Sequence, residues 1–88
     1  MTETPTRVLL IDDHDLIRQG LARAFERHAD FELVGQAASV ADGLRQFTSL
    51  APAVVVTDVR LPDGTGLDIV REIRSRGHDT GICPRCAS

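Results

Sequence analysis

Lysine is absent from this chain of 88 residues; all ten basic residues are arginine, and they are scattered rather than clustered. With a formal charge of −3, the sequence has no basic patch for nucleic acid or an anionic membrane, so direct DNA binding by this chain is not expected. No apolar run approaches the roughly 20 residues that cross a bilayer. Met1-Thr-Glu-Thr-Pro-Thr6 lacks the basic start and apolar centre of a secretion signal, and the default location is the cytoplasm. Cysteine is scarce as well. Cys83 and Cys86 stand together in the last six residues, which excludes the disulfide framework of a secreted fold. What is there, 42% hydrophobic and 26% charged residues, suits one ordinary globular domain. Its core must be small, because a chain of this length buries only about 60–65% of the surface its unfolded form exposes.

Hydrophobic periodicity then divides the chain. Residues 1–6 read as a polar leader. The run Val8-Leu-Leu-Ile11 is continuously apolar, as in a strand covered on both faces of a parallel sheet. Leu16, Ile17, Leu21, Ala24 and Phe25 recur at helical spacing and predict an amphipathic helix over 15–28, with Asp13 or Asp15 as its cap. Phe31-Glu-Leu-Val-Gly-Gln-Ala37 reads as a more polar strand at a sheet edge. Ser39 and Asp42 then open a second helix with Val40, Leu44 and Phe47 as its stripe, closed at Ala51-Pro52.

A third apolar run, Ala53 to Thr57, ends in Asp58. Leu61-Pro62-Asp63-Gly64 fits a tight turn. Leu67, Val70 and Ile73 mark a third helix over roughly 66–76, with Glu72 and Arg76 paired at i,i+4 and Gly77 as its stop. The order βαβαβα calls for an α/β fold with a parallel sheet. After residue 77 the pattern fails: His78 to Ser88 contains no apolar strand, and Pro84 is expected to interrupt one.

Ligands of open parallel sheets collect at the carboxyl ends of the strands. If the first and third strands are neighbours, about 4.8 Å apart, Asp12, Asp13 and Asp58 converge there. Carboxylates that close repel one another and need a cation. Mg²⁺ is the natural candidate, since it takes carboxylate and carbonyl oxygens and is usually completed by phosphate. A carboxylate beside it can attack a phosphoryl group in line and hold it as an acyl phosphate. Acidic residues at strand ends also serve simply as helix caps, so neither cluster is specific on its own.

Together the two clusters resemble a known family. Val8-Leu-Leu-Ile-Asp12-Asp13-His14 and Asp58-Val-Arg-Leu-Pro62-Asp-Gly-Thr-Gly66 are similar, in order and spacing, to the receiver domain of two-component response regulators. Asp13-His14-Asp15-Leu-Ile-Arg-Gln-Gly20-Leu21, Glu32-Leu-Val-Gly35-Gln-Ala and Arg60-Leu-Pro-Asp-Gly resemble receivers joined to LuxR-type helix-turn-helix outputs. The resemblance covers residues 7 to about 77. It implies a flavodoxin-like, doubly wound parallel sheet, here truncated after three βα units with strand order 2-1-3. It further implies that Asp58 is the phosphoacceptor, that Asp13, Asp12 and the backbone carbonyl of Arg60 hold Mg²⁺ with it, and that a sensor histidine kinase supplies the phosphoryl group. The output would be transcriptional, and the protein a signalling domain rather than an enzyme.

Two parts of that family are missing. The lysine at the end of the fifth strand has no counterpart, and Thr80, near the place of the phosphoryl-sensing Ser or Thr, follows no apolar strand. The sequence therefore reads as a truncated receiver whose tail, 78–88, comes from a frame change or a shortened gene. Val54-Val-Val56 would then form an open, apolar sheet edge. Two other readings stand beside the phosphoacceptor: an interaction fragment that self-associates or pairs through that edge, and a small zinc or thiol protein built on Cys83 and Cys86. For zinc only His78 lies near the cysteines, and a redox CxxC normally opens a helix after a strand. His14 is read as an exposed first-turn residue in preference to a pocket contact, and His28 as a favourable charge near a helix end. Gly35 and Gly43 belong to no phosphate-cradling motif.

Overall fold

The computed structural model describes residues 5–76 and the backbone of residues 81–85. The chain runs β1 (Thr6–Ile11), α1 (Asp15–Glu26), β2 (Phe31–Ala37), α2 (Val40–Leu50), β3 (Val54–Asp58), a two-rung hairpin of β4 (Arg60–Leu61) and β5 (Gly64–Thr65), α3 (Gly66–Ser75) and β6 (Gly81–Arg85). The main sheet has the order β2-β1-β3-β6, with every neighbouring pair parallel. The expected 2-1-3 order is thus present.

The continuously apolar strand occupies the middle of this sheet, as its composition requires. Val8, Leu9, Leu10 and Ile11 are all buried, so both faces of β1 are covered. Leu9, Ile11 and Val55 share a core with Ala37, Phe47 of α2, Leu61 of the hairpin and Ile69 and Ile73 of α3. Val8 and Leu10 point to the other face by the pleat, where α1 packs on β1 and β2 and contributes the buried Ala22. The inward stripe of α1 is Ile17, Leu21, Ala22 and Phe25. Leu16 and Ala24, expected on it, are exposed. Leu67 likewise lies outside the buried face of α3, which is carried by Ile69 and Ile73 with Val70 beside them.

The helix ends are built mostly as their residues suggest. Ser39 caps α2 by accepting a hydrogen bond from the Asp42 amide at 3.1 Å. Thr65 and Asp68 form a reciprocal capping box at the start of α3, and Arg76 reaches Glu72 at 3.2 Å at its end. α1 differs from expectation: its cap is His14, in extended backbone and without a side-chain cap bond, so neither Asp13 nor Asp15 serves. Thr6, assigned to the leader by sequence, opens β1 and pairs with Phe31. Gly77, His78, Thr80 and Cys86 lie outside the described residues.

The tail corrects another expectation. Gly81–Arg85 forms a strand in parallel register with β3, Val56 opposite Cys83 and Thr57 opposite Pro84. Side-chain pattern failed here because this strand is held by backbone pairing with a strongly apolar neighbour. Among the described residues β6 pairs on one side only, and proline is tolerated on such edge strands, where one row of N–H groups has no ladder partner. β3 is consequently an interior strand, and Val54-Val-Val56 is not the open edge foreseen for it.

Ile69 is fully buried in the shared core, whereas Leu67, two residues away, is half exposed. Ile69→Ala is expected to cost about 2–5 kcal/mol, on the order of 10 °C or more in melting temperature for a domain of this size. Leu67→Ala should change stability by less than about 0.5 kcal/mol. Thermal melts followed by circular dichroism check the contrast.

Candidate functional site

The parallel register sets the site. Ile11 of β1 lies opposite Thr57 of β3, so the next residue of each chain segment, Asp12 and Asp58, emerges at the same end of adjacent strands. Both are fully buried. The amide of Asp12 still donates to the Ala37 carbonyl at 2.9 Å, which holds the start of the loop to β2. Arg18 fastens it from the other side: one guanidinium nitrogen donates to the Asp12 carbonyl at 2.8 Å and another to Asp15 at 2.7 Å. Gly66 fits against Asp58 so closely that a Cβ there would stand 2.6 Å from the Asp58 carbonyl oxygen, and its amide donates to the Val59 carbonyl at 2.9 Å.

Four side chains converge in the space so framed. One ligand atom each from Asp12, Asp13, His14 and Asp58 lies within 4.8 Å of the others. The imidazole Nδ1 of His14 stands 3.3 Å from Asp12, 3.1 Å from Asp13 and 3.4 Å from Asp58. Sequence reasoning brought the three carboxylates together and preferred to leave His14 outside. The signal for His14 was its place directly after the acid pair, at the helix cap, where an extended backbone turns the ring toward the strand ends. Three carboxylates from two strand ends form a hard, oxygen-rich donor set that fits a divalent cation such as Mg²⁺.

Arg60, the fourth expected contributor, opens the hairpin two residues beyond Asp58 and is exposed. That hairpin is anchored at its tip. The two carboxylate oxygens of Asp63 accept hydrogen bonds from the Val40 and Ala41 amides at 2.7 and 3.0 Å, joining the loop to the first turn of α2. These backbone donors hold the Asp63 carboxyl below the usual carboxylate range. Neither Asp63 nor Arg18 was singled out by sequence: Asp63 acts across more than twenty residues, and Arg18 reaches back only one turn further than a helical pair, to a backbone carbonyl that no side-chain pattern reports. His28 lies beyond the end of α1 with its ring edge-on to Phe31 at 6.4 Å, away from the acidic centre.

A parallel α/β sheet with an acidic centre at the carboxyl ends of its two inner strands is the architecture of phosphorelay receivers. The chain belongs to the response regulator receiver domain family, whose profile matches residues 8–84; it is a signalling domain rather than an enzyme. It is 40% identical over 73 residues to the DNA-binding transcriptional activator DevR/DosR of Mycobacterium tuberculosis, a match covering 83% of this chain and 34% of that protein. It is 37% identical to the transcriptional regulatory protein LiaR of Bacillus subtilis, over 76% of this chain and 32% of LiaR. The chain thus spans about a third of the length of these curated relatives.

Among solved structures, the signal receiver domain of a regulator named NarL from M. tuberculosis superposes with a TM-score of 0.92 at 29% identity, covering 98% of this chain and 69% of that one. A LuxR-family two-component response regulator from Aurantimonas gives 0.89 at 29% identity, covering 97% and 61%. Among the described residues, no helix is long and apolar enough to cross a membrane.

The three carboxylates raise the affinity of His14 for a proton. Its hydrogen bond to Asp12 is the largest cause, followed by the negative charge of Asp13, and together they lift its pKa above the ordinary histidine value. The folded state therefore favours the protonated ring. That contribution to stability is complete below the ordinary histidine pKa and is lost as pH rises through the raised one. In chelator-treated protein, NMR titration of the His14 ring should show a midpoint above that of an exposed histidine, and Asp12→Asn should lower it.

Proposed function

We propose that this chain is a phosphoaccepting receiver in which Asp58 takes a phosphoryl group from the phosphohistidine of a sensor histidine kinase. One observation carries the reading: Asp58 ends an inner strand, fully buried, beside Asp12 and Asp13 in a single cluster of oxygen donors. In the transfer, an Asp58 carboxylate oxygen forms a bond to phosphorus as the bond from phosphorus to the donor imidazole nitrogen breaks. The electron pair leaves with that nitrogen. Asp12, Asp13, Asp58 and the backbone carbonyl of Arg60 would hold Mg²⁺. When bound, the ion offsets the mutual repulsion of the carboxylates and of the incoming phosphoryl oxygens.

The chain's own contribution is positional. Arg18 and the Ala37 carbonyl fix the Asp12 loop, the Asp63 link fixes the hairpin that carries Arg60, and the absence of a side chain at Gly66 lets α3 begin directly against the Asp58 carbonyl. A phosphoryl group adds about −1.5 to −2 charges and would bias the loops around Asp58 toward a second arrangement. The output of that change is transcriptional and cytoplasmic in this reading. Pairing through an open β3 edge has lost its basis, since β6 covers that edge.

Incubation with Mg²⁺ and acetyl phosphate, followed by intact-mass measurement, tests the proposal. The expected result is a gain of one phosphoryl group that disappears in Asp58→Asn and in excess chelator. No gain, or a gain that persists in Asp58→Asn, contradicts it.

A further inference from the structure

We propose that Asp63 is a positioning residue for the divalent-ion centre, and that its two bonds to α2 couple the first turn of that helix to occupancy of the centre. The proposal rests on the reading of the Arg60 carbonyl as one of the ion's holders.

The segment after Asp58 is held at both ends. Asp58 is fully buried at the end of β3, Leu61 belongs to the shared core, and Thr65 starts the capping box of α3. The turn between them, Pro62-Asp63-Gly64, buries no side chain of its own, and its fixed point is α2. Val40, Ala41 and Asp42 open that helix, so their amides have no acceptor within it. Ser39 takes the Asp42 amide at 3.1 Å, and Asp63 takes the other two, one on each carboxylate oxygen, at 2.7 and 3.0 Å. Gly64 makes the approach possible. A Cβ there would stand 3.1 Å from a Val40 methyl and 2.6 Å from a carboxylate oxygen of Asp68.

The link needs a carboxylate. Two oxygens meet two N–H donors at the positive end of a helix, whereas asparagine offers one oxygen and an NH₂ group that would face a second donor. The hairpin then carries the position of its tip to the ion's holder. Leu61 lies opposite Gly64 and Arg60 opposite Thr65, so two rungs separate the latch from Arg60 and leave little chain in which a displaced tip could be absorbed. Coupling of this kind is reciprocal: whatever the closed latch adds to ion affinity, the bound ion adds to closure of the latch. The first turn of α2 therefore responds to a centre whose clustered side chains all come from elsewhere.

Calorimetric titration of Mg²⁺ into the whole chain, Asp63→Asn and Phe25→Leu tests this, at a temperature where circular dichroism shows all three folded. Phe25 is half-buried in the last turn of α1, its ring edge-on to Phe31 at 5.7 Å, at the end of the sheet away from the acids, so its loss lowers stability without touching the latch. Asp63→Asn is expected to bind Mg²⁺ about tenfold more weakly, the low end for residues that orient a ligand from behind. Phe25→Leu should bind as the parent does. In the parent, exchange of the Val40 and Ala41 amides with water, followed by NMR, should slow several-fold as Mg²⁺ saturates, and in Asp63→Asn it should not respond. Parental affinity in Asp63→Asn, an equal loss in Phe25→Leu, or parental amides indifferent to Mg²⁺ overturns the proposal. If the parent binds no Mg²⁺, the proposal falls with the metal reading. If the expected differences appear while Asp58 takes no phosphoryl group, the proposal stands and the phosphoacceptor reading alone falls.

Discussion

Mutual repulsion among three carboxylates held at the ends of two adjacent strands is the constraint from which the rest of this structure is best understood. Asp12 and Asp58 are fully buried, and Asp13 adjoins them. Like charges brought together out of water are costly unless an opposite charge is supplied. The fold meets that cost from its surroundings, with the ring of His14 at the centre and the guanidinium of Arg18 on the Asp12 carbonyl. Such a cluster of oxygen donors fits a divalent cation.

The neighbouring elements make sense as supports for that arrangement. Parallel pairing of β1 with β3 delivers the two acids to one end of the sheet, and the dry strands behind them, Val8 to Ile11 and Val55, anchor their backbones. Gly66 permits α3 to begin against the Asp58 carbonyl. Asp63 ties the tip of the following hairpin to α2, so the loop that carries Arg60 is braced at a point far from it in sequence. Loop, helix and strand ends therefore form one connected frame around the acids.

Much of this was legible in the residues. A run such as Val8-Leu-Leu-Ile11 has no polar face to expose and so declares an interior strand, and apolar runs ending in Asp12 and Asp58 declare where the carboxylates must meet. What stayed hidden depends on tertiary placement. The exposure of Leu16 is a matter of which side of α1 meets the sheet, and its neighbour Ile17 fits the same spacing equally well. The ring of His14 enters the centre because of one cap conformation, which no local pattern reports. β6 escaped notice because Ile82-Cys-Pro-Arg85 carries no strand signature of its own; its place depends on the apolar neighbour beside it. The links from Asp63 to α2 and from Arg18 to Asp12 join residues that only folding brings together.

The clearest test of the account is the melting temperature of the whole chain with and without Mg²⁺, measured for the parent and for Asp58→Asn. If the three carboxylates strain against one another, Mg²⁺ raises the parent's midpoint. Asp58→Asn, which removes one charge at nearly constant volume, raises the ion-free midpoint and shrinks the response to Mg²⁺. A parent indifferent to Mg²⁺, together with an Asp58→Asn variant that melts lower than the parent in its absence, would contradict the claim that these acids form one strained, cation-seeking centre.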